Sequence, residues 1–136
     1  MNMSMANFVK PTKGIVVDAG TKGNPGEAFY RGMDLETGKI LFEDNIGLAT
    51  NNIAEFFAVC HAHHFREKNS LTMDIYSDSV TAISWFRNGR HGSTFKDEKM
   101  SERLDKACAY ATTVNSKVKK WETKIWGEIP ADYGRK

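Results

Sequence analysis

Residues 14–26 read Gly-Ile-Val-Val-Asp-Ala-Gly-Thr-Lys-Gly-Asn-Pro-Gly, and the rest of the fold can be built outward from them. The β-branched run at 14–19 predicts a short strand. The glycine-rich stretch Gly20–Gly26 predicts the turn that closes it, because Pro25 keeps Asn24 out of the helical region and glycines accept positive φ. One acid, Asp18, interrupts the otherwise apolar strand near its end. Residues 27–34 (EAFYRGMD) predict a second strand, Glu36-Thr37-Gly38-Lys39 a hairpin loop, and residues 39–45 (KILFEDN) a third strand. Three strands in series with tight turns imply an antiparallel meander.

The pattern then changes period. Thr50 or Asn51 can cap a helix whose apolar residues Ile53, Phe56, Phe57, Cys60 and Phe65 recur at helical spacing. Residues 72–77 (TMDIYS) predict a fourth strand, parallel to the first because a helical crossover separates them. Helical spacing resumes over 79–88 at Val80, Ile83 and Phe86, and Gly89 and Gly92 end it. A longer helix is expected from about Glu98 to Asn115, with Met100, Leu104, Ala107, Cys108, Ala111 and Val114 on one stripe. Basic and aromatic or apolar residues alternate over 119–126, which predicts a fifth strand; Pro130 suits the first turn of a terminal helix holding Asp132. The order β-β-β-α-β-α-α-β-α implies an α/β domain, a five-stranded mixed sheet with helices on its faces.

Composition bounds the rest. A chain of 136 residues fits one domain, here a tail over 1–13 and a folded unit over 14–136. At that length about two-thirds of the unfolded surface is buried, so folding needs neither disulfide nor zinc. With 40% hydrophobic and 26% charged residues the composition is that of a globular protein, and the apolar runs are too short to span a membrane. A net charge of +2, from 19 basic and 17 acidic residues, does not announce a nucleic-acid binder; a local patch would have to serve. Cys60 and Cys108 lack CxxC spacing and read as buried thiols in a reducing compartment. The N-terminal MNMSMANFVKPTK shows neither an export-type apolar stretch nor a small-residue cleavage site, so a cytoplasmic location is expected, with a monomer as the default.

The acids carry the chemistry. Asp18 and Asp78 close strands one and four, which a parallel crossover places side by side at one sheet edge, where α/β proteins build their sites. Glu55 lies one turn into the first long helix, and Asp132 follows Glu128 by four residues near the C-terminus. Singly, each is as consistent with a solvated carboxylate or a cap. Together, unit charges about 4 Å apart would repel by roughly 4 kcal/mol at an effective dielectric of 20, and such a cluster calls for cations. All-oxygen ligation selects Mg²⁺ or Mn²⁺ over zinc, and a pair of ions suits in-line phosphoryl displacement.

Four separated segments, Asp18-Ala-Gly-Thr-Lys-Gly-Asn-Pro-Gly26, Thr50-Asn-Asn-Ile-Ala-Glu55, Tyr76-Ser-Asp78-Ser and Trp126-Gly-Glu-Ile-Pro-Ala-Asp132-Tyr-Gly-Arg-Lys136, closely resemble the catalytic domain of type 1 ribonuclease H. The likeness runs from about residue 14 to the C-terminus in the family's order and spacing. The nearest variety is the bacterial one lacking the basic protrusion and the histidine-bearing loop. The resemblance implies a ribonuclease H-like fold and an endoribonuclease that cuts the RNA strand of RNA–DNA hybrids, leaving 5′-phosphate and 3′-hydroxyl ends. It implies two Mg²⁺ ions per site, with Mn²⁺ a plausible substitute. Asp18 would bridge them, Asp132 would help hold the ion on the attacking-water side, and Glu55 and Asp78 the ion on the leaving-oxygen side. Glu128 would position water or assist product release.

For the hybrid itself, Gly23, Asn24, Asn51 and Asn52 match positions facing the minor groove, where amides can both donate to and accept from a ribose hydroxyl and base edges. Turn formation by Asn24 and capping by the asparagine pair is the plainer alternative. Thr50 and Asn52 with Ser93 and Thr94 match a pocket for a DNA phosphate, Trp85 an aromatic packed on deoxyribose, and Lys120 and Thr123 further backbone contacts. Core packing is the rival reading for Trp85, and a solvated edge for Lys117, Lys119, Lys120 and Lys124. Val80 departs from the nearest relatives, which often carry glutamine there, and implies weaker hybrid binding with the metal site intact. His61, His63 and His64 read as solvent-facing or packed side chains; His91, near Ser93, is left unassigned. Two other functions compete: a hybrid-binding module without catalysis, disfavoured because every expected acid is present, and a two-metal nuclease or transposase core acting on DNA, disfavoured by the asparagine-rich minor-groove positions and the compact length.

Overall fold

The computed structural model describes residues 9–132. A five-stranded sheet runs in the order β3-β2-β1-β4-β5. Its antiparallel half is a meander of β1 (Ile15–Lys22), β2 (Gly26–Asp34) and β3 (Ile40–Ala49). β4 (Ile75–Ser77) returns parallel to β1 after helix α1 (Asn51–Lys68), as the crossover predicts, and β5 (Val118–Lys120) adds parallel to β4. Helices α2 (Val80–Asn88) and α3 (Glu98–Thr113) connect β4 to β5, and a short α4 (Thr123–Trp126) follows.

The strand β1 explains why there are two cores. Its side chains alternate faces. Ile15, Val17 and Ala19 enter a large apolar cluster with Ile53, Phe56 and Val59 of α1, Ile83 and Phe86 of α2, and Met100, Leu104 and Cys108 of α3. Val16, one register position away, joins a smaller cluster on the opposite face with Tyr76, Trp121, Ile129 and Ala131, against which Met33, Leu35 and Trp126 pack. The three long helices thus cover one face, while α4 and the C-terminal segment cover the other. Cys60 and Cys108 are buried free thiols, as expected, and burial pushes the Cys60 thiol up to about 12. No helix of the described residues is long and apolar enough to cross a membrane.

Several boundaries differ from the sequence reading, each for a reason in the ladder. β1 continues through Gly20 to Lys22, pairing with Glu27–Phe29, so the turn shrinks to Gly23-Asn24-Pro25, with a cis Asn24–Pro25 peptide. Gly26 is required there, since a Cβ would collide with the carbonyl oxygen of Lys22. β4 starts at Ile75 rather than 72, because its partner β1 starts at Ile15. β5 stops at Lys120 rather than 126, because β4 offers no partner beyond Ser77; the last rung is Trp121 N–H to the Ser77 carbonyl at 2.8 Å. The chain then turns helical, and Trp121 folds under it, its indole N–H donating to the Gly127 carbonyl at 2.9 Å with its ring 5.1 Å from that of Trp126. The expected helix around Asp132 is a turn at Pro130-Ala131 as far as residue 132. Residues 133–136 of the C-terminal motif and 1–8 of the tail lie outside the described residues.

Candidate active site

Asp18 stands at the middle of β1, on the face of Val16. Asp78 follows the last residue of β4, so the parallel β1–β4 pairing brings both acids to one edge. Glu55 reaches the same point from the second turn of α1, whose start is fixed by Thr50: the Thr50 hydroxyl accepts from Ile53 N–H at 3.2 Å. The cap is therefore Thr50, and Asn51 and Asn52 are the first helical residues. The N-terminus of α2 is fixed in the same way, with the Ser79 hydroxyl accepting from Ala82 N–H at 3.0 Å. Asp78 thus sits just before a helix start, where the partial positive charge of the helix favours a carboxylate.

Each of Asp18, Glu55 and Asp78 offers a carboxylate oxygen, and these oxygens lie within 4.8 Å of one another. Asp18 is 2% exposed and Glu55 3%. At these separations each charged pair repels by roughly 3–4 kcal/mol at an effective dielectric of 20. An all-oxygen, anionic donor set, buried at Asp18 and Glu55 and half-buried at Asp78, fits a hard divalent cation such as Mg²⁺ or Mn²⁺ and offers zinc none of its preferred nitrogen or sulfur ligands.

The other expected residues divide into four places. Asp132 and Glu128 lie on the C-terminal arm that crosses the smaller core; Asp132 is half-buried, Glu128 exposed, and neither belongs to the close trio. Gly23 and Asn24, in the first turn, meet the start of α1: the Asn24 side-chain carbonyl accepts from Asn51 N–H at 3.0 Å, and Asn51 lies one helical turn before Glu55 on the same face. The Asn51 side-chain oxygen is buried with no hydrogen-bond donor, while Asn52 is exposed. Trp85 is half-buried between the two readings given for it, its ring 5.7 Å from Phe56 of the core and 5.8 Å from His91. His91 receives the Ser93 N–H at Nδ1 (3.1 Å), which ties the Ser93-Thr94 loop to Trp85.

The basic edge is less organised for phosphate. Lys119 pairs with Asp74 at 3.0 Å and Lys120 donates to the Trp121 carbonyl at 2.9 Å. Thr123, expected in a strand, opens α4 instead. His61 and His63 are packed and His64 is exposed, as the sequence reading has them: His61 stacks on Phe42 with ring centroids 4.1 Å apart, and His63 stacks on Phe86 at 4.3 Å.

No family model matches the sequence. Solved structures do. RNase H1 from the halophilic archaeon Halobacterium salinarum NRC-1 superposes with a TM-score of 0.56 at 21% identity, over 82% of this chain and 86% of that one. The chain has the ribonuclease H fold. The N-terminal RNase H domain of rv2228c from Mycobacterium tuberculosis, solved as a fusion with maltose binding protein, shares this fold at a TM-score of 0.52 and 24% identity, over 79% of this chain and 86% of that one. LC11-RNase H1, isolated from compost by a metagenomic approach and solved in complex with an RNA/DNA hybrid, gives 0.51 and 23% identity over 79% of this chain and 81% of that one. Within the ribonuclease H fold of this chain, the carboxylate trio occupies the edge where the parallel and antiparallel halves of the sheet meet.

One residue of the site has no counterpart in the sequence reading. Arg31 pairs with Asp18 across β1–β2, and its guanidinium binds the C-terminal arm: Nε donates to the Ala131 carbonyl at 2.8 Å and Nη2 to the Asp132 carbonyl at 2.7 Å. The signal lay in the hairpin. Once the turn is centred on Asn24-Pro25, counting back along both strands sets Arg31 opposite Asp18.

Proposed function

We propose that this protein is a divalent-metal-dependent endoribonuclease that hydrolyses the RNA strand of RNA–DNA hybrids. The observation that carries the proposal is the close trio Asp18, Glu55 and Asp78, the first two buried, at one sheet edge of a ribonuclease H fold. Water attacks phosphorus in line, the bond from phosphorus to the 3′ oxygen breaks, and the products carry a 5′-phosphate and a 3′-hydroxyl. Two Mg²⁺ ions, with Mn²⁺ able to substitute, supply Lewis-acid chemistry when bound, acidifying water and offsetting charge on the departing oxygen. Asp18 would be a ligand to both ions; Glu55 and Asp78 would help hold the one on the leaving-oxygen side and Asp132 the one on the water side, and Glu128 would position water or ease product release.

In this reading Gly23, Asn24, Asn51 and Asn52 face the minor groove, where the Asn51 amide, once its side chain turns outward, can accept from a ribose 2′-hydroxyl. Thr50, Ser93, Thr94 and Trp85 receive the DNA strand, with Lys120 and Thr123 as outer backbone contacts. A cytoplasmic monomer clearing primers or R-loops would be the setting.

The test offers end-labelled RNA–DNA hybrid, double-stranded RNA and double-stranded DNA with Mg²⁺ and with chelator. Internal cuts in the hybrid's RNA alone, abolished by chelator and by Asp78→Asn, support the proposal. Comparable cutting of duplex DNA would point instead to a transposase-like core, and hybrid binding without cleavage to a non-catalytic module.

A further inference from the structure

Arg31 links two parts of the site that the chain sequence keeps 114 positions apart at Asp18 and Asp132. Directly opposed residues of an antiparallel pair share a sheet face, with Cβ atoms about 4.5–5.5 Å apart. The Arg31 side chain therefore leaves β2 on the face of Asp18, and on that face it meets the C-terminal arm. Its planar fork spans two consecutive carbonyls, of Ala131 (2.8 Å) and Asp132 (2.7 Å). The arm has two further anchors: Ile129 and Ala131 are 1% and 0% exposed in the smaller core, and Asp132 N–H closes a turn onto the Ile129 carbonyl at 2.9 Å. Apolar burial holds the arm against the sheet without fixing its direction. A rigid guanidinium fork fixes direction, and it does so on the backbone of the residue whose carboxylate must meet the trio.

We propose that Arg31 is a positioning residue: by clamping the Ala131 and Asp132 carbonyls to the strand beside Asp18, it sets the Asp132 carboxylate against the Asp18–Glu55–Asp78 cluster and completes the metal site. This rests on the proposed function, in which Asp132 and Asp18 share an ion.

Two variants separate the parts of the claim. Arg31→Gln removes fork and charge; Arg31→Lys keeps the charge and loses the planar fork. Three measurements follow each: hydrogen exchange of the amides at 129–132, calorimetric titration with Mn²⁺ without substrate, and steady-state cleavage of the hybrid. In Arg31→Gln, exchange at 129–132 should rise about tenfold while the β1 amides stay protected. Mn²⁺ affinity should fall as it does in Asp132→Asn, and the double variant should bind no more weakly than Asp132→Asn alone. kcat should fall roughly tenfold with KM for the hybrid within about twofold, as expected of a misplaced catalytic group. Arg31→Lys should stay nearer to Arg31→Gln than to wild type, and it carries the test alone should Arg31→Gln fail to fold.

Unchanged exchange and Mn²⁺ binding in Arg31→Gln, losses that add in the double variant, or full recovery by lysine each overturn the proposal. Wild-type cleavage is scored separately. If the wild type leaves the hybrid intact, the proposed function fails, while exchange and Mn²⁺ binding still decide the role of Arg31.

Discussion

The candidate site is held in two different ways. Asp18, Glu55 and Asp78 project from β1, α1 and the β4–α2 junction, elements locked by the large core and by side-chain caps at Thr50 and Ser79. Asp132 and Glu128 ride on an arm without a regular element of its own at residues 128–132, held by the small core and by Arg31. The first part is preorganised by the fold, so its charges are held close together at a cost that a bound divalent cation would offset. The second is fastened by a few contacts and is the part most open to adjustment. Damage to the trio should therefore abolish chemistry without harming the fold, whereas damage to the arm should weaken both.

Asp18→Asn should break the trio outright. Hybrid cleavage is expected to fall by at least about a thousandfold, on the scale of losing an essential catalytic group. Thermal stability without metal should hold or rise, because the substitution relieves repulsion between neighbouring buried carboxylates. A drop in melting temperature together with retained cleavage would remove the trio from the centre of the site.

Trp121→Ala should break the arm. Trp121 is fully buried, stacks edge-on to Tyr76 with centroids 6.1 Å apart, and bonds the Gly127 carbonyl. Truncation should cost about 3–5 kcal/mol of stability, read by denaturant unfolding, and should lower cleavage and Mg²⁺ affinity together. Loss of stability with normal Mg²⁺ dependence would show that the arm does not carry a ligand.

What the sequence made legible follows the same division. The trio could be read because its elements are periodic or punctuated: a cap at Thr50 or Asn51, the glycine turn, and a crossover that forces Asp18 and Asp78 to one edge. The arm could not be read as well. The alternation Lys119-Lys-Trp-Glu-Thr-Lys-Ile-Trp126 looks like a strand, yet a strand needs a partner, and β4 ends at Ser77. Tertiary supply of hydrogen-bond partners, not local propensity, decided those residues. Arg31 was missed for a related reason, since its role depends on a register one residue's slip would have reversed.

Acid should loosen the helix-side core, and so the trio's scaffold, before the arm. His63 is 2% exposed; its Nδ1–H donates to the Val59 carbonyl at 2.9 Å. Burial lowers its pKa from 6.5 to about 4, with nearby Arg66 adding to the effect and the Val59 bond opposing it. The folded state therefore resists protonation that the unfolded chain accepts. The contribution of His63 to stability is complete above about pH 6.5, is lost as pH falls toward 4, and levels off below, for a total on the order of 3 kcal/mol. His63→Leu should flatten that part of the stability–pH curve; an unchanged slope would assign it to the carboxylates.

The smallest effect belongs to Val80, whose side chain is exposed at the start of α2. It stands at the first position of α2, two residues after Asp78, and is 68% exposed. An exposed position at a helix start accepts glutamine with little change in stability, within about 0.5 kcal/mol. What glutamine adds is an amide able to donate and accept toward the RNA minor-groove side, which a valine cannot do. Val80→Gln should therefore lower KM for the hybrid by about two- to fivefold, the size of one modest net hydrogen bond, while kcat and the Mg²⁺ dependence stay fixed. An unchanged KM would separate this position from the substrate path; a changed Mg²⁺ dependence would show that residue 80 reaches the trio through Asp78, and that the scaffold there is less rigid than its caps imply.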